Sequence, residues 1–201
     1  LDASLSFVCF EVVQIIVEQG LVHPVKCMPA IVAMETSPDA TYRDTASMIH
    51  KKLNDKHASI IHGQALDCVK VSFEYQCKAM GHGYPRGYRM NGDKVEALLG
   101  SLWRVVGGKK GRKNEFIGGL VGVFDVDLKN CKAESVKLPL MKYVAENLAA
   151  FEYKTENEVL YVVHCLMRVL STTGENCLAT IREWNGGAAV GGGDLEWYAR
   201  V

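Results

Sequence analysis

Residues Gly20–Leu53 read GLVHPVKCMPAIVAMETSPDATYRDTASMIHKKL, and this stretch decides the fold. It holds two amphipathic segments joined by the short turn Thr36-Ser37-Pro38-Asp39. In the first, Val25, Met28, Ile31, Val32 and Met34/Glu35 recur at helical spacing; in the second the series is Tyr42, Ala46, Ile49, Leu53. Pro24 and Pro38 fall where proline is tolerated, in the opening turn of a helix. Pro29 does not, and it predicts either a kink or a later helix start. Two short antiparallel helices are the repeat unit of an α-helical array, and one such unit cannot bury its apolar face alone.

Before this pair, Leu5, Val8, Val12 and Ile15/Ile16 predict a helix from Leu5 to Gln19, stopped at Gly20 as a C-cap. After it, Ile61, Ala65, Cys68/Val69 and Phe73 predict a longer helix from about Lys56 to Met80. The stretch from Met80 to Arg89 is a Gly-rich break. Val95, Leu98, Leu99, Leu102 and Val106 then predict a helix from about Asp93 to Val106, followed by the loop from Gly107 to Arg112. Phe116, Ile117, Leu120, Val121 and Phe124 suggest a short helix despite glycines at 111, 118, 119 and 122. A polar stretch leads to a helix over Leu138–Ala150. Thr155 with Glu158 reads as a capping box before the run from Val159 to Leu170. Ser171–Gly174 should end that helix, with a last one over Glu175–Trp184.

No segment reads convincingly as a strand. The expected fold is all-α, a HEAT-repeat α-solenoid of antiparallel helix pairs with a rhythm of roughly 35 to 50 residues; a globular helical bundle is the alternative. Residues 1–184 form the array segment, and 185–201 a flexible Gly-rich tail. The chain opens at Leu1 already inside a helical pattern, as a piece of a longer array would.

Composition narrows the function. Hydrophobic residues make up 48% of the 201, well outside the disordered regime, and no apolar run approaches the length of a membrane span. The seven cysteines form no C-x-x-C pair, which fits buried thiols in a reducing compartment better than disulfides or a zinc site. The six histidines lack metalloprotease spacing, and neither a nucleophile elbow nor a Walker sequence is present. No catalytic residue, cofactor or metal is expected.

Charge is balanced overall, with 23 basic and 23 acidic residues, but not locally. From Arg86 to Lys113 the chain carries eight basic residues and only two acidic ones, Asp93 and Glu96. Arg86, Arg89, Arg104, Lys109, Lys110, Arg112 and Lys113 are the candidate contacts to DNA, since backbone phosphates require only point charges. A solvated basic face without a partner is the competing explanation.

The residues Gly20–Pro29 and Ile31–Pro38 resemble the C-terminal HEAT-repeat region of the sister chromatid cohesion loader, the Nipped-B-like or adherin family. The likeness continues in order through Leu53–His57, Lys70–Gln76, Arg112-Lys113 with Phe116 and Leu120, and Glu146–Ala149 with Phe151–Tyr153, Thr155 and Glu158. It covers roughly Leu5 to Trp184. The resemblance implies a nuclear, chromatin-associated, hook-shaped array that loads cohesin onto double-stranded DNA. Such a scaffold stimulates the cohesin ATPase by holding the SMC ATPase heads, the kleisin and DNA together, without being an ATPase. It also implies that Lys109, Lys110, Arg112 and Lys113 face DNA. The family's N-terminal region, which binds the loader's partner subunit, is absent here. Glycine between Gly107 and Gly122 and the tail beyond Trp184 depart from the family pattern. A protein-only adaptor or transport solenoid is the alternative function.

Overall fold

The computed structural model describes residues 3–79, 85–106, 110–126 and 138–188. Helix α1 (Ala3–Glu18) ends in a Schellman closure, with Gly20 at φ 69° and Leu21 N–H and Gly20 N–H donating to Ile16 and Val17 carbonyls. Helix α2 (Pro24–Glu35) starts with its proline in the first turn and carries Pro29 within it. Helix α3 (Ala40–Gly63) is capped by Asp39, whose Oδ1 accepts from Thr41 N–H at 2.8 Å. The α2–α3 pair therefore forms where the sequence places it, with Met28, Ile31, Val32, Ala46, Ile49 and Leu53 buried between them and their neighbours. Apart from Ala46, each of these side chains contributes about 1.5–3 kcal/mol on burial.

The expected boundary near Asp55 is a kink rather than an end. α3 passes through a non-helical His57 (φ −138°, ψ 39°) and continues to Gly63, and only then does α4 (Ala65–Ala79) begin. α2 lies against both α3 and α4, and α4 carries contacts onward to later helices, as stacked helix pairs do.

A β-hairpin interrupts this all-helical series and corrects the sequence reading. Strands β1 (Tyr88–Asn91) and β2 (Lys94–Ala97) pair antiparallel, with Arg89 opposite Glu96 and Met90 opposite Val95. The expected helix from Asp93 begins instead at α5 (Gly100–Val106). The reason is the Gly92-Asp93 pair, which forms the two-residue loop between the paired Asn91 and Lys94: Gly92 takes φ 58°, a conformation that such a tight hairpin turn requires at its first position. Val95, taken as the first apolar position of a helix, is half exposed on a strand.

Helix α6 (Lys110–Val121) forms despite its glycines and ends in a 3₁₀ turn over Gly122–Phe124; α7 (Leu138–Ala150) matches its expected bounds. Helix α8 (Glu156–Val169) has Thr155 at its N-cap, but no side-chain cap bond forms there. Glu158 does reach back over the helix start, accepting from the Lys154 and Thr155 backbone N–H groups, and it also accepts from Lys113, so the glutamate half of the capping box forms without the threonine half. Nor does Ser171–Gly174 end α8. A π-helical turn, Leu170–Gly174, carries the chain into α9 (Glu175–Ala188), with Thr173 Oγ1 donating to Asp125 Oδ1. α9 outruns its expected end at Trp184 by one turn; the remainder of the expected tail lies outside the described residues.

Candidate nucleic-acid interface

Trp103 is the hub on which the basic region is built. Its ring stacks on Phe151 (centroids 4.7 Å apart, planes at 8°), meets Tyr153 edge-on at 5.4 Å, and its Nε1–H donates to Glu152 O. α5 is thereby fixed to the turn between α7 and α8. Lys113 completes the cluster: its Nζ sits 4.2 Å from the Trp103 ring centroid and donates to Glu158 Oε1 at 2.6 Å. Burial works against ionisation of Glu158. The Lys113 ammonium and the Lys154 N–H outweigh it and hold the carboxyl below its ordinary value.

The seven expected contact residues are divided by this geometry. Arg86 and Arg104 are exposed, Arg104 on the last turn of α5 with Nε donating to Gly100 O. Arg112 is half buried in the first turn of α6, and Lys110 opens that helix. Lys109 lies outside the described residues. Lys113 is only 7% exposed and joins α6 to α8, so its charge is directed inward. Arg89, on β1, is half buried, and its Nη2 donates to Glu35 O at 3.2 Å. The structure brings Arg89 and Arg104 to the walls of one cleft, of about 340 Å³, between α3, the hairpin and α5.

Glu35 and Ser101 line this cleft, and with His50 buried behind them they form a polar cluster that the sequence reading did not assign. The buried Glu35 carboxylate accepts from His50 Nδ1 at 3.0 and 3.1 Å and from Ser101 Oγ at 2.7 Å. Their sequence signal is positional: Glu35 and His50 fall within the apolar series of α2 and α3, where an ionisable group requires a partner. The order of the contacts matters. The carboxylate stands between imidazole and hydroxyl, whereas an activated serine needs the imidazole in the middle. The cluster is a buried fastening of α2, α3 and α5. Beside it, Thr36, Ser72, Gln76 and Tyr143 form a second buried network, in which Tyr143 Oη and Ser72 Oγ are 2.7 Å apart and Gln76 Nε2 donates to Thr36 O at 2.7 Å. Burial pushes the Tyr143 hydroxyl to about 12. Such networks fix the register of stacked helices.

The hairpin is seated by glycine. A Cβ on Gly87 would lie 2.3 Å from Tyr143 O and 2.8 Å from Asn147 N, so only glycine permits this approach to α7. Gly87 N–H donates to Glu146 Oε2 at 2.7 Å, and Asn147 Oδ1 accepts from Leu99 N–H at 2.9 Å. Among the described residues no group of histidine, cysteine and carboxylate side chains could hold a metal, and no helix is long and apolar enough to cross a membrane.

Comparison with known proteins agrees with this architecture. The sequence matches the family described as sister chromatid cohesion C-terminus over residues 1–169. It is 29% identical over 184 residues to Nipped-B-like protein of Homo sapiens, covering 90% of this chain and 6% of that protein. It is 25% identical over 193 residues to sister chromatid cohesion protein mis4 of Schizosaccharomyces pombe, covering 89% of this chain and 11% of that one. The chain thus spans a small fraction of the length of these relatives. In three dimensions it resembles the C-terminal fragment of the Chaetomium thermophilum cohesin loader SCC2, with a TM-score of 0.80 and 28% identity, over 89% of this chain and 13% of that one. With a helix-pair array matched in sequence and in shape, the chain belongs to the sister chromatid cohesion C-terminus family.

Proposed function

We propose that this chain is a segment of a non-catalytic cohesin-loading scaffold, acting in the nucleus on chromatin. In this reading it helps hold the SMC ATPase heads, the kleisin and double-stranded DNA together, and so promotes ATP-driven loading. The observation that carries the reading is the likeness in fold to a cohesin loader fragment, at a TM-score of 0.80. The proposed DNA-facing set is Arg86, Arg104, Lys110 and Arg112, with Lys109 beside Lys110 in sequence. Arg89 and Lys113 act from behind it, positioning the hairpin and α6. Support for a stacking role comes from the exposed apolar side chains of α1 (Val8, Val12, Ile15) and of α8–α9 (Leu160, Met167, Leu178), because helix-pair arrays cover such faces with neighbouring repeats.

The test is a pull-down of the parent protein against cohesin ATPase heads, with and without duplex DNA. Retention of the heads, strengthened by DNA, supports the reading. Loss of the heads under both conditions overturns it. Retention that is indifferent to DNA leaves the protein-binding scaffold and removes the DNA surface.

A further inference from the structure

The cleft between α3, the β-hairpin and α5 gathers three guanidinium groups, those of Arg43, Arg89 and Arg104. None of them makes an ion pair among the described residues. Arg43 is committed through Nη1 to Ser37 O and Pro38 O, which holds it rigidly at the start of α3. Arg89 is poorly satisfied: it donates once, to Glu35 O, and its buried Nε has no acceptor. A guanidinium carries five donors in a planar fork, and leaving them unmet in a half-buried setting is costly. Burial, and then the neighbouring Arg43 charge, pull the Arg89 guanidinium below its ordinary value. Two like charges are thus held together, and the carboxylates nearest Arg89 are engaged elsewhere, Glu35 by His50 and Ser101 and Glu96 by Asn91.

An anion entering the cleft would meet both unmet donors and the like-charge repulsion. The rim restricts which anion. Asp44, Glu96 and Glu152 line the same cleft, Glu96 held in place by Asn91 Nδ2 at 2.9 Å. A duplex seated inside the cleft would bring its continuous row of phosphates against these carboxylates; of the three guanidinium groups only that of Arg104 is exposed enough to meet a phosphate from outside, while Arg43 and Arg89 are half buried. A single carboxylate flanked by positive charges fits both the floor and the rim. A volume of about 340 Å³ accommodates a side chain and a short length of backbone, not a double helix.

From this geometry we infer that the cleft is a peptide-binding site, taking one aspartate or glutamate side chain of an extended partner segment that carries lysine or arginine on either side. The carboxylate sits against Arg89 and Arg43 in the paired geometry that guanidinium groups favour, and the flanking cations meet Asp44, Glu96 and Glu152. Ser47 lies beside Ser101, their hydroxyl oxygens 3.4 Å apart, at the same wall.

The full 201-residue chain is titrated with a fluorescein-labelled decapeptide of Gly and Ser bearing one central glutamate between two pairs of lysines. Its counterpart with glutamine in the centre is the reference. Fluorescence anisotropy should show binding to the first that is at least tenfold tighter than to the second. Arg43→Gln and Arg89→Gln, checked for folding by thermal melting, should remove most of that difference. Should either variant fail to fold, amide NMR shifts of the unmodified chain decide: the glutamate-minus-glutamine difference should centre on Arg43, Ser47, Arg89 and Ser101. Equal binding of the two peptides overturns the inference, as does a shift difference centred elsewhere. Stoichiometric displacement of the glutamate peptide by a 20-base-pair duplex overturns it too, assigning the cleft to DNA.

Discussion

Lys113 Nζ lies 2.6 Å from Glu158 Oε1, and both side chains are largely enclosed, at 8% and 17% exposure. A residue whose sequence context, Gly111-Arg112-Lys113, reads as part of a basic loop is therefore an internal brace between α6 and α8. Removing the ammonium while leaving the carboxylate in place should cost about 3 kcal/mol, the range for breaking an enclosed pair. Lys113→Met keeps the aliphatic stem over Trp103, so K113M paired with Glu158→Gln should recover much of the loss. Urea unfolding of the two single variants and the double variant checks this, and additivity of the single costs would contradict it.

The same pair sets an acid dependence. The Glu158 carboxyl is held below its ordinary value in the folded chain, so it stays ionised there when the unfolded chain has already taken up a proton. Its contribution is fully present above the unfolded glutamate value of about 4.3 and is lost as pH falls through the lower folded value. Melting temperatures of the wild type and E158Q should differ at neutral pH and converge in acid below that window. A difference that persisted unchanged into acid would rule the mechanism out.

Gly87 and Gly118 should respond in opposite directions to the same substitution. A methyl group at Gly87 meets the backbone of Tyr143 and Asn147 well inside contact distance, and neither can yield without moving α7. G87A should cost about 3 kcal/mol through overpacking and displacement of the hairpin. Nothing lies within 4 Å of a Cβ on Gly118, which stands inside α6. G118A should stabilise by up to about 1 kcal/mol through helix propensity alone. Denaturant melts of the two variants test both signs.

These contrasts show where the sequence was legible. Periodicity located α2 and α3 because Met28, Ile31, Ala46 and Ile49 are buried on one side of each helix. The resemblance in the Gly20–Pro38 block led to the right family. The hairpin was missed because Val95, Leu98, Leu99 and Leu102 also satisfy a helical template across a strand-to-helix junction, while the local turn signal at Gly92-Asp93 points the other way. Turn chemistry prevailed over an apparent period. Charge counting found Arg89 and Lys113 but not their direction, which depends on Glu35 and Glu158, fifty-four and forty-five residues away in sequence. The His50–Glu35 contact spans α2 and α3 and has no local motif.

Ser101 tests the buried fastening at Glu35. Its hydroxyl donates to Glu35 Oε1 at 2.7 Å, and Ser101→Ala leaves that oxygen with His50 alone. The loss should be about 2 kcal/mol, as for a hydrogen bond to a charged group. Thermal melting of the wild type and S101A checks this, and equal midpoints would contradict it.

The inward turn of Lys113 makes the proposed DNA surface testable by salt dependence rather than by affinity alone. Each lysine or arginine that neutralises a phosphate adds roughly 0.9 to the slope of log affinity against log salt. Arg104 is exposed, with only a local bond to Gly100 O, so Arg104→Gln should lower the slope by about one such step and barely alter the melting temperature. K113M should do the reverse, lowering the melting temperature and leaving the slope as it was. Arg86→Gln should follow Arg104. Duplex binding by the full chain at several salt concentrations provides the measurement. A slope that fell with K113M but held with R104Q would mean that DNA engages α6 from the side facing α8, and the proposed surface would have to be abandoned.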